Sequence, residues 1–84
     1  MKREKVKELL NEMIEREFTL DEMAELFGDV RNYLSAKKES QREEEDESYR
    51  QFHAESVPLY RKWLQQTLDA LGLDYTIEEF EEEF

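Results

Sequence analysis

The sequence predicts an all-α fold: a small bundle of three or four helices with a short acidic C-terminal helix, making residues 1–84 a single helical domain. Three observations predict it. Apolar side chains recur at three- and four-residue steps through most of the chain, the spacing of one helix face. Helix-start chemistry, Thr or Ser followed three residues later by Glu, occurs at Thr19-Leu20-Asp21-Glu22, Ser40-Gln41-Arg42-Glu43 and Thr76-Ile77-Glu78-Glu79. Only two Gly and one Pro punctuate the sequence.

The first helix is expected over Lys2–Phe18, where Val6, Leu9, Leu10, Met13, Ile14 and Phe18 form one stripe among Lys, Arg and Glu, which are good helix formers. Thr19 restarts the chain with a capping box, and Phe18 and Met23 stand where a hydrophobic staple places them. The second helix is expected over Leu20–Lys38, with a bend or a break allowed at Gly28. Leu20, Met23, Ala24, Phe27 and Leu34 make its stripe, and Leu26 and Tyr33 widen it. Ser40 opens a third helix, Gln41–Glu55, and Pro58, easily accepted in a first turn, opens a fourth, Pro58–Leu71. Gly72 is a left-handed stop. Tyr75 to Phe80 then repeats the staple and capping box of Phe18 to Met23. The expected core is Leu9, Leu10, Met13, Ile14, Phe18, Met23, Phe27, Leu34, Phe52, Tyr60, Trp63, Leu64 and Leu68.

Charged residues make up 42% and hydrophobic ones 38%, on the border between folded and disordered composition. The 12% of aromatic residues tips the balance toward folding, because large rings supply the burial a short chain needs. The net charge of −11 is uneven. Met1–Phe18 balances five bases with five acids, and Thr19–Lys38 sets three bases against four acids. Glu39–Ser56 and Val57–Phe84 each set two bases against seven acids. The excess lies in two runs, Glu43-Glu44-Glu45-Asp46-Glu47 and Glu78-Glu79-Phe80-Glu81-Glu82-Glu83.

The composition also bears on function. Without Cys there is no disulfide and no thiolate for metal or nucleophilic chemistry. The lone His53 has no second His to complete a metal or nucleophile set, and Gly28 and Gly72 stand apart and form no phosphate loop. Runs of Glu on a solvated helix lack the apolar enclosure that tunes a catalytic carboxylate. No stretch approaches the roughly 20 apolar residues of a membrane span, and the start Met1-Lys2-Arg3-Glu4-Lys5 lacks the apolar segment of a signal peptide. A soluble, cytoplasmic, non-enzymatic protein without cofactor or metal is therefore expected.

Three segments carry resemblances. Leu20 to Ser35 resembles a helix-turn-helix unit of bacterial and phage DNA-binding regulators, through Ala24 at a close helix contact, Gly28 in the turn and Leu34 on the inner face of the second helix. That resemblance implies Arg31, Asn32, Ser35 and Lys38 on DNA. Asp29 and Lys37 depart from its pattern, and the net charge opposes phosphate binding. The short, acidic, Cys-free chain with interleaved aromatics resembles small phage proteins that mimic DNA to inhibit repair, restriction or CRISPR enzymes. Glu55-Ser56-Val57 is similar to the Glu-Ser-Ile element of phage uracil-DNA glycosylase inhibitors, which implies an extended segment there. Glu78 to Phe84 is similar to the acidic, phenylalanine-ended tails of single-stranded-DNA-binding proteins, which dock in apolar pockets with basic rims.

The expected function is an acidic inhibitor or modulator of a basic nucleic-acid-processing protein, such as a uracil-DNA glycosylase, restriction or CRISPR enzyme, with no direct nucleic-acid or membrane contact. The expected contact set is Glu43, Glu44, Glu45, Asp46, Glu47, Glu55, Ser56, Val57, Glu78, Glu79, Glu81, Glu82 and Glu83. The alternatives are a small helix-turn-helix regulator and a helical scaffold that assembles as a homo-oligomer.

Overall fold

A computed structural model describes residues 1–41 and 46–82. The expected contact residues Glu43, Glu44, Glu45 and Glu83 lie outside the described residues. The described chain is all-α, with four helices in the order α1 (Arg3–Glu15), α2 (Leu20–Ser40), α3 (Glu47–Ala70) and α4 (Ile77–Glu81). The two long helices α2 and α3 form an antiparallel hairpin, and α1 and α4 complete the core along it.

Helix α1 ends at Glu15, short of the expected Phe18, because the chain turns through a left-handed residue. Glu17 takes φ 58°, its amide donates to the Ile14 carbonyl, and the Phe18 amide donates to the Met13 carbonyl at 2.9 Å. That is a Schellman cap with Glu in the place usually held by Gly, at a cost of about 1–2 kcal/mol. Gly72 closes α3 with the same pattern, φ 65° and a Leu73 amide on the Leu68 carbonyl. The Arg16 guanidinium covers that end from α1. Its Nη2 donates to the Leu71 carbonyl at 2.7 Å and its Nη1 to the Gly72 carbonyl at 3.0 Å. A cation at a helix C-terminus satisfies orphan carbonyls and meets the negative end of the dipole.

Helix α2 runs unbroken through Gly28. The Thr19 capping box starts it as the sequence predicts, with both reciprocal bonds to Glu22 formed. A glycine inside a helix costs only about 1 kcal/mol, and burial of Leu26 and Tyr33 on either side offsets that. The helix-turn-helix expectation is thereby corrected. Leu20 to Ser35 is one continuous helix, Ala24 is exposed, and no turn separates Arg31, Asn32, Ser35 and Lys38 from the preceding residues.

The expected helices Gln41–Glu55 and Pro58–Leu71 are instead one helix, α3. Ser40 does not open it, because the Ser40 hydroxyl donates back to the Lys37 carbonyl at 2.7 Å and belongs to the end of α2. The N-cap is Asp46, whose carboxylate accepts from the Tyr49 amide at 2.8 Å. Pro58 lies inside α3. Proline removes the donor for the carbonyl four residues earlier, here that of Ala54. Both residues are exposed, so water can satisfy that carbonyl and the helix continues. Glu55-Ser56-Val57 is accordingly helical rather than extended, with Val57 packed against the core and the Ser56 hydroxyl donating to the Phe52 carbonyl.

The core comprises Leu9 and Met13 of α1, Leu26 and Tyr33 of α2, Leu64 and Leu68 of α3, and Leu73, Ile77 and Phe80 at the C-terminal end, with Met1. Of the expected core, Leu9, Met13, Leu64 and Leu68 are buried, and Phe18, Met23, Leu34 and Tyr60 pack at its edge. Leu10, Ile14, Phe27, Phe52 and Trp63 are exposed and do not belong to it. Large side chains sit just outside the buried arc on each helix, and the apolar stripes are wider than the arc that the bundle covers.

Replacing the fully buried Leu64 by Ala is expected to cost about 2–5 kcal/mol. Replacing its neighbour Trp63, 44% exposed, by Ala is expected to cost well under half as much. Thermal melting of the two variants checks this, and an equal or reversed order would refute the assignment of the core.

Candidate functional site

The two acidic runs meet different fates. The C-terminal run starts as the sequence predicts: Thr76 caps α4, its hydroxyl accepting from the Glu79 amide while the Glu79 carboxylate accepts from the Thr76 amide at 3.0 Å. Tyr75 and Phe80 lie across that start with ring centroids 6.5 Å apart, and Ile77 and Phe80 are buried. A helix this short does not persist alone, so tertiary contacts hold it.

Its carboxylates supply many of those contacts. The Tyr33 hydroxyl of α2 and the Lys37 ammonium both donate to Glu81, the latter at 2.9 Å, and Arg61 of α3 approaches the same carboxylate at 3.8 Å. Arg61 also pairs with Glu78 and donates to the Tyr33 hydroxyl. Lys5 of α1 lies 3.7 Å from Glu79. The α-amino group of Met1 donates to the carbonyls of Phe80, at 3.2 Å, and of Glu82. Three of the expected partner-binding acids, Glu78, Glu79 and Glu81, are thus engaged with basic side chains of the same molecule.

The titration behaviour of these groups follows from the contacts. The Tyr33 hydroxyl and then Lys37 hold Glu81 below the ordinary glutamate value, Arg61 does the same for Glu78, and the Thr76 amide for Glu79. Burial, and then the Glu81 hydrogen bond, push Tyr33 up, so it remains a proton donor. Depressed carboxylates stabilise the fold above the ordinary glutamate range, and that stability drains as pH falls through it toward the depressed values.

The first run and the Glu55 region lie elsewhere. Asp46 caps α3, Glu47 follows it in the first turn, and Glu55 is exposed one turn before Leu59. Glu47 and Glu55 form no ion pair among the described residues. Ser56 and Val57 are half-buried, and Val57 serves packing. The structure therefore separates the expected contact set into Glu78, Glu79 and Glu81, paired with bases of the same molecule although Glu78 stays exposed, and Glu47, Glu55 and Glu82, exposed without an ion pair among the described residues.

Sequence reasoning missed a further surface. Glu25 and Asp29 of α2, with Trp63, Gln66, Thr67 and Ala70 of α3, line a groove of ≈ 340 Å³ along one side of the hairpin. The Thr67 hydroxyl donates to the Asp29 carboxylate and fixes its register. The signal was present in the four-residue spacing of Asp21, Glu25 and Asp29, but it is diluted in a chain rich in Glu. His53, half-buried, packs edge-on against Tyr49 at 4.5 Å and Phe52 at 5.4 Å.

No family model, no curated protein and no solved structure matches this chain. Among the described residues no helix is long and apolar enough to cross a membrane, and no group of three His, Asp or Glu is placed to hold a metal ion.

Glu81→Gln is expected to lower the thermal midpoint at neutral pH by several degrees, on the order of 1–2 kcal/mol for a charged hydrogen-bonded group. The gap from the unmodified protein is expected to shrink below about pH 4, where Glu81 itself takes up a proton. Melting curves at several pH values measure it; a gap that stayed constant with pH would mean that the carboxylate charge is not what holds α4.

Proposed function

We propose that this protein is a non-enzymatic acidic inhibitor or modulator that binds a basic DNA- or RNA-handling protein by presenting carboxylates where that protein expects phosphates. The observation that carries the reading is an excess of acids, 23 against 12 bases for a net charge of −11, only some of which pair with bases inside the fold. Lys5, Lys37 and Arg61 neutralise the C-terminal helix, whereas Glu25, Glu47 and Glu55 stand exposed on the two long helices without an ion pair among the described residues.

The physics of such a partner is field complementarity. Carboxylates on helices are held at defined positions, and a positive groove meets them with a faster encounter and in direct competition with nucleic acid. The same charge repels duplex phosphates, which is the reason for placing a protein rather than DNA opposite this surface. Among the residues first expected to make contact, Asp46, Glu47, Glu55 and Glu82 are exposed without an ion pair among the described residues, and Glu25 joins them.

The test is affinity capture on the immobilised protein from a lysate of its source organism, with elution in a salt gradient. Captured proteins are expected to be basic, to release as salt rises from about 0.1 to 1 M and the screening length falls from about 10 to 3 Å, and to be displaced by duplex DNA. Glu47→Lys with Glu55→Lys is expected to reduce the capture. Binding indifferent to salt and to DNA, or recovery of the protein itself alone, would contradict the reading.

A further inference from the structure

The groove between α2 and α3 gathers an exposed indole and two carboxylates around one space. Its volume of ≈ 340 Å³ lies at the lower end of the range for small-ligand sites. Glu25 and Asp29, one turn apart, come from α2, and Trp63, Thr67 and Ala70 come from α3. Trp63 is 44% exposed, and Tyr60 meets its ring edge-on at 5.4 Å and orients it. Thr67 is buried, and its hydroxyl donates to the half-buried Asp29 carboxylate, which holds that acid against α3.

The charge in the groove is unanswered. Neither Glu25 nor Asp29 forms an ion pair among the described residues, and no described cation stacks on Trp63. Arg16 reaches the Leu71 end of the groove but is engaged by the Leu71 and Gly72 carbonyls and by Glu12. Arg31 lies roughly 160° around α2 from Asp29, and Lys62 about 100° around α3 from Trp63.

Chemistry narrows the occupant. Two carboxylates supply too few hard oxygens to cage calcium or magnesium, and an indole adds none. Phosphates of nucleic acid or lipid are repelled by the same carboxylates. A second copy carries the same −11 and opposes close approach. An organic cation uses every group present, since the indole face attracts its charge and the carboxylates accept from its N–H donors. Guanidinium fits better than ammonium. It is flat and weakly hydrated, so it stacks on a ring while its edge pairs with a carboxylate, whereas ammonium is a strongly hydrated point charge.

We infer that the groove is a socket for one arginine side chain of a partner protein, its guanidinium stacked on Trp63 and paired with Asp29 and Glu25. Thr67 takes up part of the acceptor capacity of Asp29 and leaves the rest for the ligand. The small side chain of Ala70 leaves room for the arginine stem. The inference rests on the functional reading above for the basic protein that carries the arginine; it adds the place of contact and the side chain recognised.

The probe is N-acetyl-arginine amide, compared at matched ionic strength with N-acetyl-lysine amide and the neutral N-acetyl-citrulline amide. Emission of Trp63, the single tryptophan, reports occupancy. The arginine derivative is expected to change the emission with saturation and to bind about threefold more tightly than the lysine derivative, and citrulline is expected to leave it unchanged. This comparison needs no variant. Glu25→Gln and Asp29→Asn, the latter still able to accept from Thr67, are each expected to weaken binding by about threefold, and Glu55→Gln to leave it unchanged. Equal binding of arginine and lysine, or an equal loss with Glu55→Gln, would reduce the effect to bulk charge and overturn the inference. An emission change produced by duplex DNA, or by raising the protein concentration alone, would also overturn it. Arginine binding here with no basic protein captured from lysate would defeat the functional reading and leave the guanidinium site standing. Salt-sensitive capture of a basic protein that is undiminished when Glu25→Gln and Asp29→Asn are combined would do the reverse.

Discussion

The carboxylate of Glu81 accepts from Tyr33 and Lys37 on α2 while Arg61 on α3 lies 3.8 Å away, so a single side chain of the shortest helix is tied to both of the longest. Around it, Ile77 and Phe80 enter the core and the Met1 amine reaches the carbonyls at the end of α4. A chain of this length has little interior to spare, and a five-residue helix has no stability of its own. The bundle depends on that closure. Without α4, the buried faces of Leu9, Tyr33 and Leu68 would lose part of their cover, and α1 would lose the Lys5–Glu79 contact.

The closure also redistributes the charge. A run of Glu at the end of the chain has the composition of a solvated tail, yet three of its carboxylates are matched to Lys5, Lys37 and Arg61 across the bundle. Partly exposed pairs of this kind contribute modestly one by one, but three that converge with a tyrosine hydrogen bond on one short helix orient it. On the hairpin, Glu25, Glu47 and Glu55 stand exposed without an ion pair among the described residues. Scaffold and acidic surface are therefore not divided between the two halves of the sequence: the C-terminal acids build the scaffold, and acids from the nearly neutral half, such as Glu25, join the surface.

The helix starts were legible wherever a capping box is followed by an apolar residue that can reach the core, as at Thr19 and Thr76, and the stop at Gly72 was legible from the residue alone. The start at Ser40 misled because its hydroxyl found the Lys37 carbonyl behind it before any amide ahead. Pro58 and Gly28 read as boundaries, but each sits where solvent or neighbouring burial absorbs its cost. Conversely, the left-handed turn at Glu17 has no residue signature at all. The core was half legible for a geometric reason. On α2 the stripe from Leu20 to Leu34 and the pair Leu26 and Tyr33 lie side by side, and only the position of α3 decides that the pair is covered. The pairing of Glu78, Glu79 and Glu81 depends on bases far away in sequence, which spacing cannot show, and the groove beside Trp63 depends on two helices whose register is set by contacts such as Thr67 with Asp29.

The acidic helix α4 is a closed part of the fold, held by its contacts with α2 and α3. Residue-resolved amide hydrogen exchange at neutral pH tests it most directly. Protection at Phe80 and Glu81 is expected to approach that of Leu64 and Leu68 in α3, since α4 can open only when the bundle does. Exchange of Phe80 and Glu81 at the rate of an unstructured peptide, with α3 still protected, would contradict it.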